Sequence, residues 1–493
     1  IGVGRFPVMT PDQANKAVNK VISNSTNTTE VMGSWRNMIC FVADDEDQNT
    51  HMQSHAEKMA GLIDTAYKSY NIDKIYLDAY TQESTPGGQR APDVNLAINN
   101  RIEKGTMVIN YTGHGGEVGW AHERILEISD INSWTNYDKL AVFITATCEF
   151  SRYDDPERTS AGELVFLNPD GGAVGLFTTA RATYGSNNFN LNMAMYEVMF
   201  EKLGDEMPRS GDLIRMAKNK SGSVSTNDRK FVLLGDPALR LAYPEFKIIT
   251  KSINGEVVAS MPDTLKALKK VTITGEVQDE AGNLLQNFNG IIYPVVFDKP
   301  NQVTTLGADP DSYPFTFELR NSILYKGKAS VVNGKFSFTF IVPKDIAYNY
   351  GYGKISYYAN TQNLDAAGYY DNVIVGGYDN TTSDDDKGPE IELYMNDENF
   401  VFGGVTDENP LLLAYVNDSS GINTVGTGIG HDIMAVLDQN TDKSINLNDY
   451  YEADLDEYKS GSIKYPFSEL SDGTHTLSIK VWDVQNNSSQ AYT

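Results

Sequence analysis

Up to about residue 242, short continuous apolar runs alternate with longer segments whose apolar residues recur every three or four positions. That pattern predicts a parallel sheet with helices packed on its faces. Strands are expected at 38–43 (MICFVA), 74–79, 107–111, 140–146 and 173–178. Met52, His55, Met59, Ile63, Ala66 and Tyr70 share one helical face, so a helix is expected over 50–70, with others at 93–104, 192–203 and 211–220. From about residue 244 the helical period disappears. Alternating Val, Ile, Phe, Tyr and Thr punctuated by Gly, Asn and Asp then predict two all-β, Ig-like sandwich modules, 243–380 and 390–493. The intervening stretch 381–389 (TTSDDDKGP) reads as a linker.

Composition narrows the functional classes. The 493 residues carry 66 acidic and 40 basic side chains, a net charge of −26. Such a field repels phosphate polyanions, and without a basic stripe it excludes nucleic acid as a partner. No apolar run approaches the roughly 18 residues of a membrane-spanning helix. The chain opens at Ile1 with neither an initiator Met nor a leader, as expected of a processed product or a piece of a longer protein. Two cysteines, Cys40 and Cys148, are too few for a disulfide scaffold, though one bridge between them stays open.

Candidate chemistry gathers where two predicted strands end. The strand at 107–111 runs into Thr112-Gly113-His114-Gly115-Gly116, and the strand at 140–146 runs into Thr147-Cys148-Glu149. Ligands of open α/β sheets bind along this carboxyl edge. A thiol beside an imidazole suits nucleophilic catalysis, because the His both generates the thiolate and protonates the leaving amine. The backbone N–H groups of Gly115 and Cys148 are candidate oxyanion donors. The competing reading is a buried filler Cys and a His that only caps a turn.

The segments INYTGHGG (109–116), Gly119-Trp120 and FITATC (143–148) resemble the gingipain family of cysteine peptidases, as do LLGDPAL (233–239) and the opening VGRFPV (3–8). ERTSAGE (157–163), LNPDGGA (167–173) and LFTTAR (176–181) are most similar to the family's type IX secretion sortases. The resemblance implies a caspase-like α/β catalytic domain over 1–242, with His114 as general base and Cys148 as nucleophile. It places the orienting acid in Ala43-Asp44-Asp45-Glu46-Asp47, at Glu46 with Asp45 as fallback; a solvated or Ca²⁺-binding loop is the competing reading. It further implies removal of a C-terminal sorting domain from secreted cargo and transfer of the new carboxyl end to an amine of anionic lipopolysaccharide. The setting implied is the cell surface, among the outer-membrane components of that secretion system. Where Arg-specific relatives carry an acid that reads a basic side chain, this chain has Thr50, His51 and Met52. The alternatives are a plain endopeptidase, or an adhesin whose α/β domain has lost activity.

Other motifs are weaker. His51 and His55 (HMQSH) lack the Glu that zinc peptidases place after the first His. The run Asp438-x-Asn440-x-Asp442-x-Ser444-x-Asn446-x-x-Asp449 has EF-hand-like spacing, which keeps Ca²⁺ as a candidate ligand, but Lys443 occupies the glycine position and a solvated turn is preferred. No other cofactor is expected. Arg152, Arg158 and Arg181 are candidates to meet an anionic group of substrate or acceptor, with structural ion pairs as the alternative.

Overall fold

The computed structural model describes residues 2–222, 226–258, 261–379, 385–425 and 430–493. It divides into two compact units, 1–245 together with 302–319, and 246–301 together with 320–493. The first unit is built on a six-stranded sheet: β1 (Met38–Ala43), β2 (Asn71–Tyr76), β3 (Val108–Thr112), β4 (Ala141–Ala146), β5 (Ala173–Thr179) and β6 (Phe231–Gly235). The order is β6-β5-β4-β3-β1-β2, with β6 antiparallel and the rest parallel. Strand alternation sends Ile39, Phe41 and Ala43 to one apolar face and Cys40 and Val42 to the other, so helices cover both. The strand order turns back between β1 and β3, which opens a crevice at their carboxyl ends.

The helix expected over 50–70 is a π-helical turn, Thr50–Ala56, followed by an α-helix, Glu57–Ala66. Sequence reading missed the helix Pro11–Ser25, although Thr10 caps it through Gln13 N–H and Pro11 opens it. This helix carries Lys20, 1% exposed, whose Nζ donates to the carbonyls of Phe166 (2.9 Å), Asn168 (3.0 Å) and Gly171 (2.7 Å). Those bonds cap the helix Ala161–Leu167 and the turn after it, while burial pushes the Lys20 ammonium down to about 7. Lys20→Ala leaves three buried acceptors without a donor and is expected to cost about 3 kcal/mol. Denaturant unfolding of the two proteins measures it.

In the second unit, the expected sandwich over 243–380 is instead a closed barrel of seven strands. Its order is Phe246–Ile253, Lys270–Gln278, Lys335–Ile341, Ala329–Val332, Gly290–Phe297, Lys354–Asn360 and Asp365–Tyr370. Parallel pairing of Phe246 with Ala366 through Ile248 with Gly368 joins the last strand to the first. Inward–outward alternation is the same in a barrel and a sandwich, so the sequence pattern does not separate them. The last module has two four-stranded sheets that share a core through Leu412, Ala414 and Ile463 on one and Ala435, Ile479 and Val481 on the other. Of the expected linker, Thr381–Asp384 lie outside the described residues, and Asp385 is bonded to Ser419 Oγ at 2.6 Å. Among the described residues no helix is long and apolar enough to cross a membrane.

Candidate active site

β3 and β4 pair in parallel with Thr112 opposite Ala146, and His114 and Cys148 each stand two residues beyond that pair. Their spacing in sequence therefore equals the register offset of the strands, and both emerge from neighbouring strands, roughly 5 Å apart, at one edge. Both line a cleft of about 600 Å³ whose apolar wall includes Val118, Trp120, Leu126 and Ile128. Trp120 stacks on Tyr111 at 4.4 Å, and the Tyr111 hydroxyl donates to the His114 carbonyl at 2.5 Å, which anchors the loop to the sheet. Gly113 is required for this path. A Cβ there would lie 2.3 Å from Asp44 Cβ and 2.6 Å from the Tyr111 oxygen.

The acid nearest the imidazole is Asp44, which sequence reading passed over. Its N–H bonds to Thr112 O, so it continues the β1–β3 ladder one residue past the strand end, directly beside the His114 loop. Fully buried, its Oδ2 accepts from the His114 backbone N–H at 2.7 Å and lies 3.1 Å from Nδ1. Glu46 Oε2 lies 3.3 Å from the same Nδ1, while Glu46 Oε1 contacts His122 Nδ1 at 2.5 Å. The structure thus brings both acids to His114, with Asp44 at the shorter distance and out of solvent. Asp45 turns away and accepts from Gln82 Nε2 at 2.6 Å. Burial opposes the charge on Asp44, but the bonds from the His114 side chain and backbone hold its carboxyl below the ordinary range. The same bond to Asp44, against partial desolvation, raises the imidazole to about 9.

Three further residues at the site escaped the sequence reading: Asp47, His122 and, as a neighbour of His114, His51. His114 Nε2 lies 3.8 Å from Asp47 Oδ2, and His51 Nε2 lies 3.3 Å from that oxygen. The ring centroids of His51 and His114 are 5.5 Å apart, edge to face. His51 and His55 each reach Thr112 Oγ1 at 3.4 Å, and His55 stacks on Phe189. Burial lowers both, His55 to about 4, so they are neutral core groups.

Cys148 is part-exposed, and its Sγ bonds to Thr183, accepting from the backbone N–H at 3.4 Å and lying 3.5 Å from the carbonyl. Thiol and imidazole share the cleft. Glu149, next in the chain, has φ 49°, a left-handed turn that bends the backbone sharply away after the thiol. Gly115 also lines the cleft. Arg181 and Arg152 are engaged elsewhere. Arg181 forms a two-pronged pair with Asp154 (2.8 and 2.6 Å), and Arg152 bonds to Glu117 at 2.7 Å, with Arg158 at 3.6 Å from the same carboxylate. Cys40 is fully buried in β1 and both cysteines are free, so the bridge between them is absent. In the 438–449 run, the Asp438 carboxylate is taken by His475 Nδ1 (2.7 Å) and Thr476 N–H (2.9 Å), and Asn446 Oδ1 by Asn448 N–H (3.0 Å).

The profile of Peptidase family C25 matches residues 1–242. This domain belongs to peptidase family C25. No curated protein is similar enough to the chain to count as a relative. Among solved structures, the chain is similar to dimeric latent PorU from Porphyromonas gingivalis, with 25% identity and a TM-score of 0.35. That likeness covers 100% of this chain but 41% of PorU. It is also similar to the Arg-specific cysteine proteinase gingipain R, at 16% identity and a TM-score of 0.42, over 76% of this chain and 75% of that one.

For the C25 domain the raised imidazole fixes the direction of a pH effect. His114 stays protonated through neutral pH and loses its proton as pH passes about 9. Peptidase activity that depends on a thiolate–imidazolium pair is therefore expected to fall on an alkaline limb near pH 9. Initial rates on a short peptide from pH 5 to 10.5 check this.

Proposed function

We propose that the chain is a cysteine endopeptidase of the sortase type, acting through a thioester on Cys148. The observation that supports it most directly is the register-matched emergence of His114 and Cys148 into one cleft, with Asp44 on the imidazole. Bonded at Nδ1, His114 keeps Nε2 for chemistry. The Cys148 thiolate attacks the scissile carbonyl, forming the S–C bond and an oxyanion for which the N–H groups of Gly115 and Cys148 are the candidate donors. The C–N bond then breaks as His114 gives its proton to the departing amine. In the second half an incoming amine attacks the thioester, His114 takes its proton, and the thiolate leaves. Water in place of the amine gives hydrolysis, and the part-exposed Cys148 favours that second reading.

The sorting substrate, the lipopolysaccharide amine and the outer-membrane setting follow from the resemblance of segments 157–163, 167–173 and 176–181 to type IX secretion sortases. The apolar wall of Val118, Leu126 and Ile128 suits small or apolar residues beside the cut, in keeping with His51 and Met52 at the place of the specificity acid. The deciding experiment incubates the protein with a cargo carrying a C-terminal sorting domain and an amine acceptor, then reads the product's carboxyl terminus by mass spectrometry. An amide to the acceptor is expected. Free acid alone would leave an endopeptidase without transfer, and no cleavage would overturn both readings.

A further inference from the structure

Three donor atoms converge on the reactive side of the catalytic imidazole. Asp47 Oδ2 lies 3.3 Å from His51 Nε2 and 3.8 Å from His114 Nε2, and one donor atom of each residue falls within 4.8 Å of the others. Ligands held at about 2.0–2.1 Å by a tetrahedral zinc ion lie roughly 3.4 Å apart, so the two short edges already approach that polyhedron. The third closes by a tilt of the His114 ring, which is part-exposed. The rings are also supported as zinc ligands are. A ligating imidazole gives its other N–H to a fixed acceptor, which sets the tautomer and frees the remaining lone pair. His114 Nδ1 meets the buried Asp44 carboxylate at 3.1 Å, and His51 Nδ1 meets Thr112 Oγ1 at 3.4 Å. Both Nε2 atoms are left facing Asp47. The backbone holds that acid in place at a cost, because Asp47, Gln48 and Asn49 have φ of 58°, 57° and 59°, three consecutive left-handed residues without a glycine. Such a run persists only where its surroundings enforce it. Asn49, fully buried, bonds through Nδ2 to Tyr313 O at 2.5 Å and through Oδ1 to Tyr313 N–H at 3.3 Å. Tyr313 belongs to segment 302–319 of the same compact unit, itself pinned by Gly307 and Ala308 N–H bonds to the Asp78 carboxylate at 2.7 and 2.8 Å.

Two imidazoles and one carboxylate, with a fourth position left for water, are a donor set that suits zinc, and the two nitrogens disfavour the hard cations that prefer oxygen. We propose that Asp47, His51 and His114 hold a zinc ion that switches the peptidase off. The ion takes the Nε2 lone pair through which His114 exchanges protons with the thiol and the substrate amine. No covalent bond of the protein changes, and removing the ion restores the base. The inhibitory effect rests on the peptidase reading above, whereas the binding itself does not. The competing arrangement puts zinc on the Cys148 thiolate and His114, which share the cleft, and leaves Asp47 as a mere charge partner of the two rings.

Calorimetric titration of the full chain carrying Cys148→Ala with ZnCl₂ separates the two. One equivalent is expected to bind in the low-micromolar range. Adding Asp47→Asn or His51→Gln to that variant should weaken it by roughly a hundredfold, since loss of outer-shell support alone costs tenfold or more. Asp47 is exposed, so its substitution keeps the test open should the buried His51→Gln fail to fold. Zinc should also suppress peptide cleavage by the native protein, and Asp47→Asn, measured against its own rate in EDTA, should need about tenfold more of it. The proposal is overturned if Cys148→Ala binds no zinc, if Asp47→Asn and His51→Gln bind it as tightly as their parent, or if native protein and Asp47→Asn are equally sensitive. Zinc uptake by a protein that cleaves no peptide would leave the site standing and count against the peptidase reading alone.

Discussion

Asp44→Asn is expected to lower kcat/KM by about ten-thousandfold while leaving the fold intact, by analogy with loss of the orienting acid in other peptidases. The reason is geometric as well as electrostatic. Asp44 Oδ2 receives two donors from His114, and Oδ1 receives the Asp45 N–H. An asparagine has only one acceptor oxygen, so in either orientation its NH₂ meets a donor that the carboxylate had accepted. The imidazole also loses the carboxylate charge behind the bond that lifts it to about 9, so the alkaline limb should move down toward the ordinary histidine value near 6.5. Glu46→Gln makes the comparison decisive. Glu46 is part-exposed and shared with His122, so about tenfold or less is expected. Steady-state kinetics of the two variants across pH measure both effects, and a larger loss in Glu46→Gln would transfer the orienting role to it.

Cys148→Ala is expected to remove turnover altogether, a drop on the order of a millionfold where a nucleophile is deleted. Melting temperature should change little, since Sγ makes only weak bonds to Thr183 and the position is part-exposed. Alkylation followed by intact-mass measurement gives an independent reading. The native protein should take up one equivalent of iodoacetamide at Cys148 and none at Cys40, which is fully buried with its thiol pushed well up by burial. Residual cleavage by Cys148→Ala would remove the thioester mechanism.

The parts of this architecture that were legible in the sequence are those governed by local pattern. Continuous apolar runs located β1 and four more strands, and Gly-His-Gly and Thr-Cys after two of them marked the edge at which chemistry sits. What escaped depended on contacts distant in sequence. Asp44 and Glu46 are equally acidic in the one-dimensional text, and only the continuation of the β1–β3 ladder shows which is carried next to His114 and buried. The sixth strand, Phe231–Gly235, follows the helices Gly185–Met199 and Ser210–Lys220 and returns antiparallel to β5 at the sheet's edge, a pairing that no local pattern announces. Closure of the barrel depends on the parallel pairing of Phe246–Ile248 with Ala366–Gly368, far apart in the chain. Helix Pro11–Ser25 had a capping signal that went unread, with Thr10 and Pro11 in the favoured places.

Segment 302–319 alters what a deletion experiment on this protein would mean. The change in texture near residue 242 invites a cut there, yet Phe317 packs against Tyr76 at 4.7 Å and Tyr313 bonds to Gln53, so part of the enzymatic half is encoded downstream, inside the β-rich portion of the gene. A fragment ending at 245 would expose the ring of Tyr76 and strip Asp78 of its two amide donors. Silence of such a fragment would report an amputated core, and splicing 302–319 back on through a short tether is the route to a self-sufficient minimal enzyme.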